Sequence, residues 1–223
     1  MPRWGIHLAI ANKILEHKPN LDKNAFLFGN ILPDLQDGYL IKDVSNITDH
    51  GKNHYDFFNG KPVYENFYDI YAHKLDNAMI YGYFTHLISD YCFNKKFEEK
   101  CLFNKQDNLI GYTNKDNRII KKSKEECLKD KHLEFKVFES YIFRKYKIDI
   151  PYYDKSLLCQ ANEIDNINIS IDDIKKAIYF IESCKESANL ENNQCFIFEN
   201  RELEDEILNV VKFSFELNKM SKQ

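Results

Sequence analysis

Apolar positions recur at helical spacing along most of the chain. Leu8, Ile10, Ala11, Ile14 and Leu15 mark an amphipathic helix from about residue 5 to Glu16, stopped before Pro19. Asp22 is placed to cap a short second helix carrying Phe26, Leu27 and Ile31. That helix should end near Pro33, because the residue before a proline avoids the helical region. Residues 34–53 hold Gly38, Gly51 and scattered Asp, Asn and Thr, the composition of a long loop. Loops of that length are uncommon in compact domains and are often functional. Helices are expected again over Tyr64–Tyr71 and over Lys74–Cys101. The longer one carries Leu75, Met79, Tyr83, Phe84, Leu87, Ile88 and Tyr91 nearly all round, which marks a central, buried helix.

Between residues 104 and 121, Asn114, Asp116 and Asn117 separate the β-prone pairs Leu109-Ile110 and Ile119-Ile120, a pattern that predicts a small hairpin. Ser123 with Glu126 reads as a capping box opening a helix to about Lys147. Ser170 with Asp173 opens another to about Ala188, and a last amphipathic helix covers about Arg201 to Asn218. No repeat and no Pro-rich or Gly/Ser-rich linker interrupts the series. The expected architecture is all-α, a single-domain helical bundle over residues 1–223 with a minor hairpin.

Composition narrows the function classes. Hydrophobic residues make up 43% of the 223 residues and charged residues 30%, an ordinary globular balance with enough chain for a sizeable core. No apolar run approaches the roughly 18 residues of a membrane span. Lys and Arg total 31 against 35 Asp and Glu, a net charge of −4 with no long block of one sign. Binders of nucleic acid that rely on phosphate contacts are normally basic, so specific nucleic-acid binding is not expected. Met1-Pro2-Arg3 is followed by Trp4-Gly5-Ile6-His7 rather than by the apolar stretch of a signal peptide. The six cysteines show neither C-x-x-C nor zinc-finger spacing, and are expected to be reduced thiols of a cytoplasmic protein.

Candidate chemistry lies in the histidines. Six of the seven fall in the first 86 residues. His86 and Asp90, four apart on the buried helix, project from one face about a turn from each other. That spacing suits either a shared divalent cation or a plain His–Asp hydrogen bond. Asp34 follows Pro33 at the mouth of the long loop, as an inward ligand or base, or as a solvated turn residue. His7 stands in the first turn of the first helix, as a ligand or a boundary histidine. His50 and His54 lie four apart in or after the loop, as ligands or as surface polarity. His17, His73 and His132 are expected to be exposed.

Taken in order, these signals resemble the zinc-dependent phospholipase C and P1/S1 nuclease superfamily. Its pattern is an early His near Trp, then G-x-x-x-P-D, then His and an aromatic, then G-Y-x-x-H-x-x-x-D in a buried helix. This chain supplies His7 near Trp4, Gly29 to Asp34, His54-Tyr55, and Gly82 to Asp90, over about residues 4–100. The resemblance implies an all-α fold whose His and Asp side chains hold zinc ions. Asp34, His54, His86 and Asp90 would form one zinc site, and Asp90 would bridge to a second zinc bound by His7. His50 competes with His54, which is preferred because Tyr55 follows it. Such a centre suits phosphoester hydrolysis of a small phosphoester or a phospholipid headgroup, with Asp34 the catalytic residue that orients or deprotonates water.

The chain also departs from the pattern. In the secreted enzymes the mature chain begins with Trp, whose amino group binds zinc, whereas Met1-Pro2-Arg3 precede Trp4 here. After Asp90 come Phe93, Asn94, Lys95 and Lys96, and His132 is followed four residues later by Lys136, so a third metal site is not expected. One or two ions is the expectation. The rival readings are a catalytically degenerate member that binds metal structurally and a helical binding module.

Overall fold

The long apolar helix becomes the axis on which the other elements pack. In the computed structural model, which describes residues 2–35, 50–56, 59–165, 167–190 and 193–220, every residue from Ala78 to Asp90 is buried. Most of the expected loop, residues 36–49, lies outside the described residues. The described residues form nine α-helices: α1 Trp4–His17, α2 Lys23–Gly29, α3 His50–Asn53, α4 Val63–Tyr71, α5 Ala78–Glu98, α6 Lys124–Lys145, α7 Lys155–Ala161, α8 Ile171–Ala188 and α9 Asn200–Met220. Short 3₁₀ turns cover Leu32–Asp34 and Ala72–Lys74. Helices α1, α2, α4 and α9 pack on α5, and α6 joins α1 to α8. One buried apolar cluster draws residues from α1, α2 and α4 to α9. No described helix is long and apolar enough to cross a membrane.

Local chemistry sets the helix ends. The Asp22 carboxylate accepts the Ala25 N–H at 3.1 Å and opens α2. Asn77 accepts the Ile80 N–H at 3.1 Å, so α5 begins at Ala78 rather than at Lys74. Ser123 with Glu126 and Ser170 with Asp173 close full capping boxes on α6 and α8. The N-terminus of α1 is held from outside: Glu139 of α6 accepts the Gly5 N–H at 2.8 Å and the Arg3 Nε–H at 2.6 Å.

Helices α2 and α5 touch backbone to backbone. A Cβ on Gly29 would stand 2.2 Å from the Met79 carbonyl oxygen, and one on Gly82 would stand 2.3 Å from that of Phe26. Only glycine permits this approach at either position. The contact brings the end of α2, and the turn carrying Asp34, against the middle of α5.

The expected hairpin is a three-stranded antiparallel sheet, β1 Cys101–Phe103, β2 Leu109–Thr113 and β3 Ile119–Lys121, in that order. Cys101 therefore opens a strand instead of ending α5. Both turns are built alike. Asn104 Oδ1 accepts the N–H groups of Gln106 and Asn108, and Asn114 Oδ1 accepts those of Asp116 and Arg118. The left-handed residues are Asp107 and Asn117, types that tolerate φ near 57° and 59°. The sheet hangs on α6 through Tyr112, whose hydroxyl donates to Asp130 at 2.8 Å. Helix α7 was not expected from the sequence, nor was the single turn α3. The six cysteines are free thiols.

Candidate metal centre

Four elements deliver five ligand-type side chains to one buried point. Asp34 ends the 3₁₀ turn behind Pro33, His54 follows α3, His86 and Asp90 share one face of α5, and His7 enters from α1. None of the five is more than 4% exposed. His54 Nε2 lies 3.4 Å from Asp34 Oδ1 and 3.1 Å from Asp90 Oδ2. His86 Nε2 lies 3.8 Å and 3.4 Å from the same two oxygens, and 3.3 Å from His54 Nε2. Four ligands about 2.0–2.1 Å from a tetrahedral ion would stand about 3.3–3.4 Å apart. The observed separations bracket that value.

The carboxylate oxygens are close to nitrogen but poorly hydrogen-bonded. None of the four oxygens of Asp34 and Asp90 makes a well-formed hydrogen bond among the described residues. Two buried carboxylates left so would be costly. Carboxylate oxygens that crowd against imidazole nitrogens without well-formed hydrogen bonds are the arrangement expected around a shared cation. The described residues hold two overlapping triads that could hold a metal ion, His54–His86–Asp90 and His7–Asp34–His86.

Each ligand is held by its surroundings. His86 Nδ1 donates to the Asn30 carbonyl oxygen at 2.8 Å, which leaves Nε2 of the neutral ring free to bind a cation. The chain is pinned before and after His54: the Tyr83 hydroxyl donates to the Asn53 carbonyl, and Asn66 Nδ2 donates to the Tyr55 carbonyl at 2.9 Å. Tyr55 takes φ 55°, a conformation that is uncommon for a bulky residue and that turns the chain at this point.

His7 approaches the other oxygen of Asp90. Its Nε2 lies 3.6 Å from Oδ1, and its ring stacks on His86 with centroids 3.8 Å apart. The two oxygens of Asp90 thus face different imidazoles. Burial first, and the His86 imidazole stacked beside it, lower the His7 pKa to about 3, so the His7 ring is neutral near neutral pH, and both its nitrogens lack a hydrogen bond. Trp4 serves the core, packing edge-on against Phe180 at 5.8 Å.

Charge in the cluster has a direction. Burial raises the Asp34 and Asp90 carboxyls, but His86 and His54 outweigh it and hold both below the ordinary range, Asp90 well below. Burial lowers His54, but the close carboxylates of Asp34 and Asp90 outweigh it and push its pKa up to about 9. In the metal-free protein a proton on His54 therefore offsets part of the carboxylate charge. A divalent cation must displace that proton. Cation uptake near neutral pH is expected to release about one proton per chain, and affinity to rise about tenfold per pH unit from about pH 7 to about pH 8.5. Titration calorimetry in buffers of different ionisation enthalpy checks both. The sign is opposite for the metal-free fold, where the His54 interaction is complete below about pH 6.5 and fades as pH rises through about 9.

All five residues singled out from the sequence meet here. The rival His50 opens α3, and its side chain lies outside the described set. His17, His73 and His132 are exposed and away from the cluster. Asn30, Tyr83 and Asn66 were not anticipated. Two of the contacts are made to backbone carbonyls and one by a backbone carbonyl, which residue spacing does not show. A cleft of about 660 Å³ opens onto His54 and Asp90, with Lys61, Tyr91, Asn94 and Glu98 on its walls. No family model, curated protein or solved structure matches this chain.

Proposed function

We propose that the chain is a zinc-dependent phosphoester hydrolase of phospholipase C-like, all-α type. The observation that carries this reading is the convergence of His54 and His86, each Nε2 3.1–3.8 Å from both Asp34 and Asp90, with His7 near the far oxygen of Asp90. The donor set is nitrogen and oxygen only, which suits zinc and also manganese. A bound divalent ion would supply Lewis acidity toward water and toward a phosphoryl oxygen. The protein's own groups do the rest. Asp34, ionised and buried behind the cleft residue His54, accepts a hydrogen bond from the attacking water and orients it. Asp90 spans the cluster, and Asn30 keeps His86 in one tautomer. The cleft beside His54 and Asp90 gives a substrate its approach.

The test pairs elemental analysis with turnover of p-nitrophenyl phosphate and bis-p-nitrophenyl phosphate. Zinc-loaded protein should hydrolyse at least one of them, lose the activity on chelation and regain it on reloading. Tightly held metal without turnover of either would favour the rival reading, in which the ion serves the fold alone. Absence of bound metal after loading would overturn both.

A further inference from the structure

Helix α5 continues its metal-facing stripe beyond Asp90. His86, Asp90 and Asn94 follow one another at four-residue steps and share one face. Asn94 lines the cleft that opens onto His54 and Asp90, and it also lines the adjoining cavity of about 340 Å³. Lys131 of α6 reaches that wall from the second cavity, donating from Nζ to Asn94 Oδ1 at 2.5 Å. Its ammonium lies 5.3 Å from the centre of the Phe97 ring.

Lys131 differs from the other lysines of this region. Lys61 pairs with Asp69 and Lys95 with Glu98, each at 3.0 Å and on the surface. Lys131 is 8% exposed and has no carboxylate within ion-pair distance among the described residues. A buried ammonium is costly without an anion to match it. Burial lowers its proton affinity, and the charge of Asp90 acts in the opposite direction. The amide of Asn94 holds the amine in place but leaves its charge unneutralised.

We propose that Lys131, held by Asn94 on the wall that the cleft shares with the second cavity, binds the substrate's anionic group there and contacts a phosphoryl oxygen beside the metal cluster. This rests on the phosphoester reading above. A cation at this wall adds to the metal's attraction for the phosphoryl group and fixes its orientation. The role is positioning and specificity, since Lys131 lines the second cavity and its amine is bonded to Asn94.

The experiment measures binding of inorganic phosphate by calorimetry to zinc-loaded wild type, Lys131→Met, Lys131→Arg and Asn94→Ala, with metal content and melting temperature recorded for each. Lys131→Met keeps the unbranched stem of the side chain and removes its ammonium group. It should keep wild-type metal content and weaken phosphate binding about ten- to a hundredfold, the loss expected for one charge-assisted hydrogen bond. Lys131→Arg should recover part of that loss, and Asn94→Ala should show a smaller loss in the same direction. With p-nitrophenyl phosphate the change should appear mainly in KM. Wild-type phosphate affinity in metal-replete Lys131→Met would overturn the proposal while leaving the metal reading intact, as would failure of metal-replete wild type to bind phosphate. Absence of metal from the loaded wild type would instead overturn the phosphoester reading, and this proposal with it.

Discussion

Asp34→Asn is expected to cut phosphoester turnover by about 10²–10⁴-fold, the usual cost of losing a group that handles the proton of the attacking water. The substitution keeps the size of the side chain and its place behind Pro33. It removes the negative charge that faces His54 at 3.4 Å and His86 at 3.8 Å. Because Asp34 is a ligand in this account, zinc retained after dialysis should fall as well. Outer partners of metal ligands typically cost about 10–100-fold in affinity when lost, and a direct ligand should cost no less. Glu98→Gln is the matched control: it removes a carboxylate from the same cleft, but one that pairs with Lys95 on the surface. Zinc content and turnover should match wild type in the control and fall together in Asp34→Asn. Equal metal and equal activity in both variants would make Asp34 an ordinary turn residue.

The second large effect is mechanical. In Gly82→Ala the new Cβ would meet the Phe26 carbonyl oxygen at 2.3 Å, and both contacts on Asn30 at 3.1 Å. Backbone cannot rotate away as a side chain can, so α2 must shift. Overpacking of this kind costs about 3 kcal/mol. For a chain of this size that is a fall in melting temperature of about 6–12 °C. The same shift moves the Asn30 carbonyl away from His86 Nδ1, so metal affinity should fall along with stability. Thermal melts of the apo and zinc-loaded variant test both parts. A melting temperature within about 2 °C of wild type would show that α2 and α5 can separate freely.

Helices with strong local signals were legible. The capping pairs Ser123–Glu126 and Ser170–Asp173 place the starts of α6 and α8, because the cap is a side chain bonding within its own turn. Continuous apolarity marks α5 as central, although its start at Ala78 depends on the Asn77 cap. Helix α7 escapes because it is short and buries only Leu157 and Ala161. Strand β1 escapes because Cys101 and Leu102 continue the apolar pattern of the helix before them, and their pairing with Tyr112 and Gly111 is non-local. At the site, the spacing of His86 and Asp90 speaks for a shared face, but the arrival of His7, Asp34 and His54 is a matter of packing. Gly29 and Gly82 matter for reasons of approach that spacing does not express. Lys131 had a fainter signal: it falls on the buried stripe of Cys127, Phe135 and Phe138, whereas Lys129 and Lys136 face solvent.

X-ray absorption at the zinc K-edge of loaded, dialysed protein reads the ligands of the ion themselves. Zinc should be retained by the chain with a shell of nitrogen and oxygen at about 2.0–2.1 Å, imidazole scattering, and no sulfur at about 2.3 Å. The same shell should be lost or depleted in Asp34→Asn. Zinc bound through sulfur, or no zinc retained, would contradict the proposed metal centre, because the cysteines or nothing would then hold the ion in place of His54, His86, Asp34 and Asp90.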